Sequence, residues 1–470
     1  MIAITLAEIA EVVGGTVVAP DPGLHVTGAA YLDSRSPRPG GLFVAVVGEH
    51  VDGHDYAAGA HAVLGSRATT APTVVVEDPV AALGLLARHQ LQRSPATTVI
   101  ALTGSQGKTG TKDYLAGALA AVAGPEAVVA TAGNHNNELG VPLTVLTAEE
   151  TTRYLVVEMG ARGIGHIGYL CRIAPPRVAG VLNVGSAHIG EFGSRDAIAR
   201  AKGEIVESLP GDGTAVLNAD DPRTAAMASR TGAGTVLTFG ATGTVSWRDL
   251  HLDERGRASF VLTDGVSRVP VALRQPGAHQ VANAAAAAAL AVGAGVDFAE
   301  VAAALSRVDP PSRWRMEVTE RGDGLLVVND AYNANPESMT AALEALVAMG
   351  AGGRRTVAVV GEMKELGGEH DAGHHRVGVA ARDLGVDVLV VVGVAAGGIA
   401  TGAAEPAPGA GEGAAGVGEI ISVPGHSEAI AWLVQNAGAE DVVLVKASRG
   451  AALERVVTAL VQTPGPEEAT

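Results

Sequence analysis

Four things are scarce in this 470-residue chain: cysteine, aromatic side chains, positive charge and long apolar runs. The one cysteine, Cys171, rules out an intrachain disulfide and fits a reducing compartment. Aromatics make up only 3% while hydrophobic residues as a whole reach 47%, so the cores must be built from small and branched aliphatics. Lys and Arg number 33 against 50 Asp and Glu, a formal net charge of −17. That balance argues against a general nucleic-acid binder, which needs a basic face, but leaves room for a locally positive site that takes a small anion. The most alanine-rich stretch, "VANAAAAAALAVGAGV", is too short and too weakly apolar to span a membrane. The start, "MIAITLAEIAEVVGG", lacks the basic residues of a secretory signal. The expectation is a soluble cytoplasmic protein with no membrane or nucleic-acid partner.

What is present is an alternation. At roughly 100–200 residues per domain, the length suggests about three domains. Residues 1–93 read as a small mixed domain: "LAEIAEVVGG" is a helix with Gly14 and Gly15 past its end, and "GLFVAVVG" and "PTVVVED" are short buried strands. Residues 94–308 read as a larger α/β domain. Its runs "TTVIALTG", "TRYLVVEMGA", "RVAGVLNVG" and "GTAVLNADD" are continuous apolar strands separated by helical stretches, the pattern of a parallel sheet covered on both faces. Residues 309–470, after the prolines of "SRVDPPSRW", repeat the alternation and predict a second, Rossmann-like open α/β sheet. Within them, 401–419 reads as a Gly/Ala/Pro-rich surface loop, and the C-terminal "QTPGPEEAT" as frayed.

In open sheets of this kind, ligands bind at the carboxyl ends of the strands, and the informative polar residues sit there. "VIALTGSQGKTGTKDYL" places a phosphate-type loop, Gly104, Ser105, Gln106, Gly107 and Lys108 followed by Thr109, between a strand and a helix. Backbone N–H groups in such a turn cradle phosphate, the lysine reaches the outer phosphates and the threonine hydroxyl ligates Mg²⁺. Leu102 stands where the usual G-x-x-x-x-G-K-[ST] pattern begins, so the alternative is a plain strand-to-helix turn with a solvated lysine. Glu158 and His188 end the next strands and Lys202 follows. A carboxylate and an imidazole near a phosphate loop suit a divalent metal. Asn283, with His279 at i, i+4 on one helix face, offers an amide that can pair with the donor and acceptor edge of adenine.

These residues resemble the Mur ligases, three-domain ATP-dependent amide-forming enzymes with the folylpolyglutamate synthetases at their edge. "TGSQGKT" is similar to the family's TGTNGKT-type loop, which explains Leu102. "DSRSPRPGGLFVAVVGEHVDGHDY" resembles a uridine-nucleotide domain. "TAGNHNNELGVPLTVL", "NDAYNANPESM", "GEMKELG" and "VKASRGAALE" resemble the members that add a dipeptide. The resemblance implies that ATP activates the carboxylate of UDP-N-acetylmuramoyl-tripeptide as an acyl phosphate, which the amine of D-Ala-D-Ala attacks, in peptidoglycan synthesis. It implies catalytic roles for Lys108, His188 and Lys202, with two Mg²⁺ ions. Thr109 and Glu158 would hold the first ion and His188 the second, while Lys202 would serve as an oxygen ligand once carbamylated. A lysine pairing with Glu204 or with a phosphate is the plain alternative. Arg315, rather than Arg313, matches a phosphate-contacting arginine, and Asp330 a ribose-binding aspartate. Tyr332, Asn333 and Asn335 would shape the ATP side.

Ser34 and Arg35, with Asp52, Gly53, His54 and Asp55, are the candidates for the uridine nucleotide, and Asn134, Asn136 and Asn137 for the peptide. Arg449, then Lys446, with Ser448 beside them, are candidates for the dipeptide carboxylate, which needs a cation. The expected protein acts as a monomer. A ligase adding a single amino acid, a folate ligase and a non-catalytic nucleotide-binding regulator stand as alternatives.

Overall fold

The computed structural model describes residues 1–185, 189–309, 311–407 and 416–462. Three sheets organise it, with two small antiparallel additions. Near the start, the helix Leu6–Val13 opens with a capping box between Thr5 and Glu8 and is closed by Gly14 at φ 67°. It leads into a four-stranded sheet ordered Thr16–Val18, Thr73–Val75, Ala62–Gly65, Leu42–Val44.

The central sheet has six strands, ordered Thr235–Phe239, Thr214–Asn218, Val178–Val181, Thr98–Thr103, Tyr154–Glu158, Val128–Ala130, and every pairing is parallel. Its inner strands are buried but for half-buried Thr98 and Asn218 at strand ends, as continuous apolar runs require. The helix His279–Gly293 carries the alanine run, with Ala284 to Ala289 fully buried. Small side chains let it lie close against the helix Lys108–Ala123, which is how alanine supplies the core that aromatics do not.

The last sheet is ordered Glu317–Glu320, Leu326–Asn329, Asp441–Lys446, Arg355–Val360, Val388–Val392, Glu419–Val423; only its first pairing is antiparallel. Its inner strands are the apolar runs "LVVN", "DVVLVK", "RTVAVV" and "VLVVV", which carry the alternation expected for this part of the chain.

One expectation needs amendment, and one sheet was not expected. The stretch 401–419 is not all loop: residues 401–404 finish the helix Gly397–Ala404, and Glu419 begins a strand. Small residues build a helix as readily as a loop when one face packs on a neighbour, here the helix His370–Asp383. Residues 408–415 and 463–470 of the expected loop and tail lie outside the described residues. The three-stranded antiparallel sheet Ser246–Leu252, Arg257–Thr263, Arg268–Pro276 was not expected. Its outward positions carry Arg, Asp and His, so no long apolar run announces it.

The buried apolar side chains show which parts are fused. One cluster runs from Met1 through Leu86 into Val99 and on to Met227, joining the first sheet to the central one. The clusters of the last sheet contain no residue before Met316. The C-terminal sheet therefore faces the rest of the molecule across a cleft instead of sharing its core. Among the described residues, no helix is long and apolar enough to cross a membrane.

Candidate active site

The cleft encloses about 550 Å³ and is lined by both halves. On the central side lies the phosphate-type loop. Leu102 is fully buried inside the strand Thr98–Thr103, so the position that holds glycine in other loops is here part of the sheet. Gly107 sits at φ 75° and precedes the helix Lys108–Ala123, whose start has no side-chain cap. Its first N–H groups and positive end are left for an anion. Asn183, at the end of the neighbouring strand, pins the loop. Its Oδ1 accepts from Gln106 N at 2.9 Å, and its Nδ2 donates to the Gln106 carbonyl at 3.2 Å. The sequence reading passed over Asn183, although it sits at the same strand end as the residues that reading selected.

Lys108 folds back so that Nζ donates to the Gly104 carbonyl at 2.7 Å. Burial pushes its pKa down, Glu158 pulls it up and Arg315 adds to the lowering. Glu158 is 2% exposed, and two groups hold its carboxylate: Thr109 Oγ1 donates at 3.0 Å and Asn136 Nδ2 at 2.8 Å. Its backbone N–H donates to Thr131 Oγ1 at 3.0 Å. The Thr109 hydroxyl and the Glu158 carboxylate thus offer hard oxygens beside the anion cradle, the donor type Mg²⁺ prefers. Among the described residues no cluster of three His, Cys, Asp or Glu could hold a metal alone. An ion here needs oxygens from phosphate and water as well, the usual arrangement for Mg²⁺.

Lys202 is 5% exposed on the same wall. Burial drives its pKa well down, nearby Lys108 adds to this and Glu158 opposes it. Its expected rival partner is occupied elsewhere: Glu204 accepts from the N–H groups of Gly165 at 2.5 Å and Gly168 at 2.9 Å, at the start of the helix His166–Ile173. Among the described residues no Lys202–Glu204 ion pair forms. His188, expected to help bind metal, lies outside the described residues.

The C-terminal wall supplies Arg315, whose Cζ lies 4.2 Å from the Tyr332 ring centroid. Asp330 accepts from Lys446 Nζ at 2.6 Å and from Met316 N at 3.2 Å. Lys446, considered for the dipeptide carboxylate, has its charge committed to Asp330 and is buried. Arg449 is half exposed and is the freer cation. Ser448 Oγ accepts from Lys364 N at 2.9 Å, tying its loop to "GEMKELG". Asn335 lines the cleft, but its Oδ1 caps the helix Pro336–Gly350 by accepting from Ser338 N. Asn283 also lines the cleft, and its Nδ2 donates to Gln280 Oε1 at 2.8 Å. His279 stands at the start of the same helix, its pKa lowered by burial, with Asp330 opposing and Lys446 reinforcing the shift. Six Lys and Arg against four Asp and Glu line this cleft, so it is locally positive on an acidic protein.

The sequence and fold are similar to those of known proteins. A family model described as the Mur ligase middle domain matches residues 102–291, and one described as the Mur ligase, glutamate ligase domain matches 314–449. The UDP-N-acetylmuramoyl-tripeptide–D-alanyl-D-alanine ligase of Mycobacterium tuberculosis (strain ATCC 25618 / H37Rv) is 45% identical, covering 98% of each chain. The chain belongs to the Mur ligase family. A crystal structure of MurF from Acinetobacter baumannii is similar at TM-score 0.86 and 30% identity, covering 98% of this chain and 99% of that one. MurF from Thermotoga maritima in complex with ADP is similar at TM-score 0.77 and 32% identity, covering 93% and 98%.

The remaining expected residues of this Mur ligase separate into two groups. Asn134, Asn136 and Asn137 line the cleft, although Asn136 is committed to Glu158 and Asn137 Oδ1 to the N–H of Gly140. Ser34, Arg35, Asp52, Gly53 and His54 do not line it. Arg35 is exposed and forks onto Asp33, holding that carboxyl at about 2. His54 is buried with both ring nitrogens engaged, Nδ1 with Asp52 and Nε2 accepting from Ser66 N at 2.8 Å. It therefore braces the loop, leaving Asp52, Asp55 and Arg67 at its surface. Arg162 and His166, which share Glu138, also line the cleft and were not anticipated.

Proposed function

We propose that this Mur ligase joins D-alanyl-D-alanine to UDP-N-acetylmuramoyl-tripeptide in peptidoglycan synthesis, consuming ATP. The observation that carries the reading is the single cleft in which an uncapped GKT helix start, Glu158 and Lys202 face Arg315, Asp330 and Arg449. The names of the full-length relatives supply the substrates.

The chemistry follows from what these groups can do. The helix start and Lys108 bind the outer phosphates and Arg315 approaches from the other wall, so transferring charge is neutralised without a covalent nucleophile. The tripeptide carboxylate takes up the γ-phosphoryl group of ATP and ADP leaves; the dipeptide amine, after losing its proton, attacks the acyl phosphate, and the tetrahedral intermediate expels phosphate to give the amide. Mg²⁺ supplies further charge neutralisation when bound. Thr109 and Glu158 would hold one ion, and His188 with Lys202 a second. For Lys202 this would require carbamylation; burial disfavours its charged form, and the neutral amine is the form that reacts with CO₂. Asn283 pairs with adenine and Asp330 contacts the ribose, while Tyr332, Asn333 and Asn335 shape that end. Asn134, Asn136 and Asn137 face the peptide, and Arg449, with Ser448 and Lys446 behind it, faces the dipeptide carboxylate. Residues 1–93 hold the uridine nucleotide through Ser34, Arg35 and the Asp52–His54 turn, residues 94–308 bind ATP, and residues 309–470 receive the dipeptide. The enzyme works as a cytoplasmic monomer.

Phosphate release from ATP is measured with UDP-N-acetylmuramoyl-tripeptide, with and without D-Ala-D-Ala, together with product mass. Release that depends on the dipeptide, and a product heavier by the dipeptide less water, is the expected result. Release with a single amino acid instead would overturn the substrate assignment. ATP binding without any turnover would move the chain to a regulator.

A further inference from the structure

Trp314 does not line the cleft, yet it stands directly behind a residue that does. The Arg449 Cζ lies 4.1 Å from the Trp314 ring centroid, and Arg449 is a cleft residue while Trp314 is not. On its other side Arg449 Nη1 pairs with Glu454 at 2.7 Å. A half-exposed arginine has many rotamers. A ring against its flat face and a carboxylate on one edge leave one arrangement, with the remaining N–H edge free for a second carboxylate.

The backbone is bent to make this contact. Trp314 and Met316 both sit in the left-handed region, at φ 59° and 52°, where a residue with a side chain is disfavoured. Three hydrogen bonds hold them there: Trp314 N to Glu317 Oε2 at 3.0 Å, Tyr332 N to the Trp314 carbonyl at 3.2 Å, and Met316 N to Asp330 Oδ1 at 3.2 Å. Held strain of this kind belongs where a geometry is needed. Its effect is that Trp314 reaches Arg449 while the next residue, Arg315, reaches Tyr332.

We propose that Trp314 is a positioning residue for the incoming dipeptide, acting through Arg449 by fixing the guanidinium edge that receives the dipeptide's free carboxylate. This rests on the reading of Arg449 as that carboxylate's partner.

The test measures steady-state constants for full-length variants. Trp314→Leu is expected to raise the KM for D-Ala-D-Ala roughly three- to thirtyfold, the range a lost cation–π contact gives. The KM for ATP and kcat stay within about twofold, because Arg315 keeps its own partner. Trp314→Phe keeps a ring face and recovers most of the loss. An unchanged dipeptide KM in Trp314→Leu, an equal rise for ATP, or a Phe variant as impaired as Leu would each overturn the inference. Arg449→Ala separates the two levels. If it raises the dipeptide KM while Trp314→Leu does not, the inference fails and the reading of Arg449 stands; if it does not raise it, both fall. A readout that does not depend on Leu folding uses Trp247→Phe/Trp432→Phe, which leaves Trp314 as the only tryptophan. Dipeptide addition should change its emission, and no change would overturn the inference.

Discussion

At the scale of single residues, two buried titratable groups, Lys202 and His374, show opposite solutions. Lys202 is buried, and its burial with Lys108 nearby disfavours the charged form. A lysine in that position is costly as a cation and reactive as an amine. Lys202→Ala should lower kcat on the order of a hundredfold, as loss of a charge-stabilising group does, with partial recovery on adding short carboxylic acids. Full activity without them would remove the carbamylation reading. His374 is the contrasting case. It is fully buried, Nε2 accepts from Met363 N at 2.9 Å and Nδ1 meets the His370 carbonyl at 2.7 Å. Burial and the His370 ring lower its pKa below 6.5, while the His370 carbonyl, Glu362 and Asp371 oppose this. The unfolded chain then binds a proton that the folded one resists. The stabilising effect is complete above about 6.5 and is lost as pH falls from there towards the lower folded pKa. Denaturation midpoints for wild type should therefore drop between pH 8 and pH 5. His374→Ala should be less stable at pH 8 by about 1–3 kcal/mol, from the stranded Met363 N–H, and should show a smaller drop.

At the scale of elements, the strand ends were the legible part. The four central runs and four C-terminal runs were readable because parallel strands buried on both faces are continuous in Val, Leu and Ile, and Glu158, Asp330 and the GKT turn follow directly from them. The antiparallel sheet 246–276 was not readable, because its solvent face interrupts every run. Partnerships across the sequence were likewise hidden: Asn183 with Gln106, Asn136 with Glu158 and Lys446 with Asp330 come from neighbouring strand ends, which no local spacing encodes. Gly107 shows what the loop demands of its sequence. Its φ is positive, and a Cβ there would lie 2.4 Å from Asn283 Oδ1. Gly107→Ala should raise the KM for ATP about tenfold or more by displacing the loop or Asn283. Gly211→Ala, where a Cβ meets nothing within 4 Å, should leave it unchanged. Equal effects of the two substitutions would show that the loop tolerates a side chain.

At the scale of the whole molecule, the distribution of apolar contact decides what can move. Residues 1–93 and the central sheet share one continuous core, so separating them would expose buried Leu, Ile and Val. The C-terminal sheet keeps its two apolar clusters to itself. Its links to the rest include Arg255–Glu320 at 2.7 Å, Arg195–Glu337 at 3.7 Å and a hydrogen bond from Gln275 to the Arg315 carbonyl at 2.6 Å. Exposed ion pairs of this sort contribute about 0–1 kcal/mol each and reform at little cost. On the proposed reading the chain would move as two bodies, with ATP gripped from both sides by Lys108 and Arg315. An acyl phosphate in this cleft must be kept from water until the amine arrives, and closing the C-terminal body over it is the motion the packing permits. Small-angle scattering should give a smaller radius of gyration with a non-hydrolysable ATP analogue and both other substrates than for the free enzyme. ATP analogue alone should give an intermediate value, since Arg315 can engage it while Arg449 still lacks its ligand. Superimposable free and fully liganded profiles would show that the cleft works without closing, and the protection of the intermediate would then have to come from the substrates filling it.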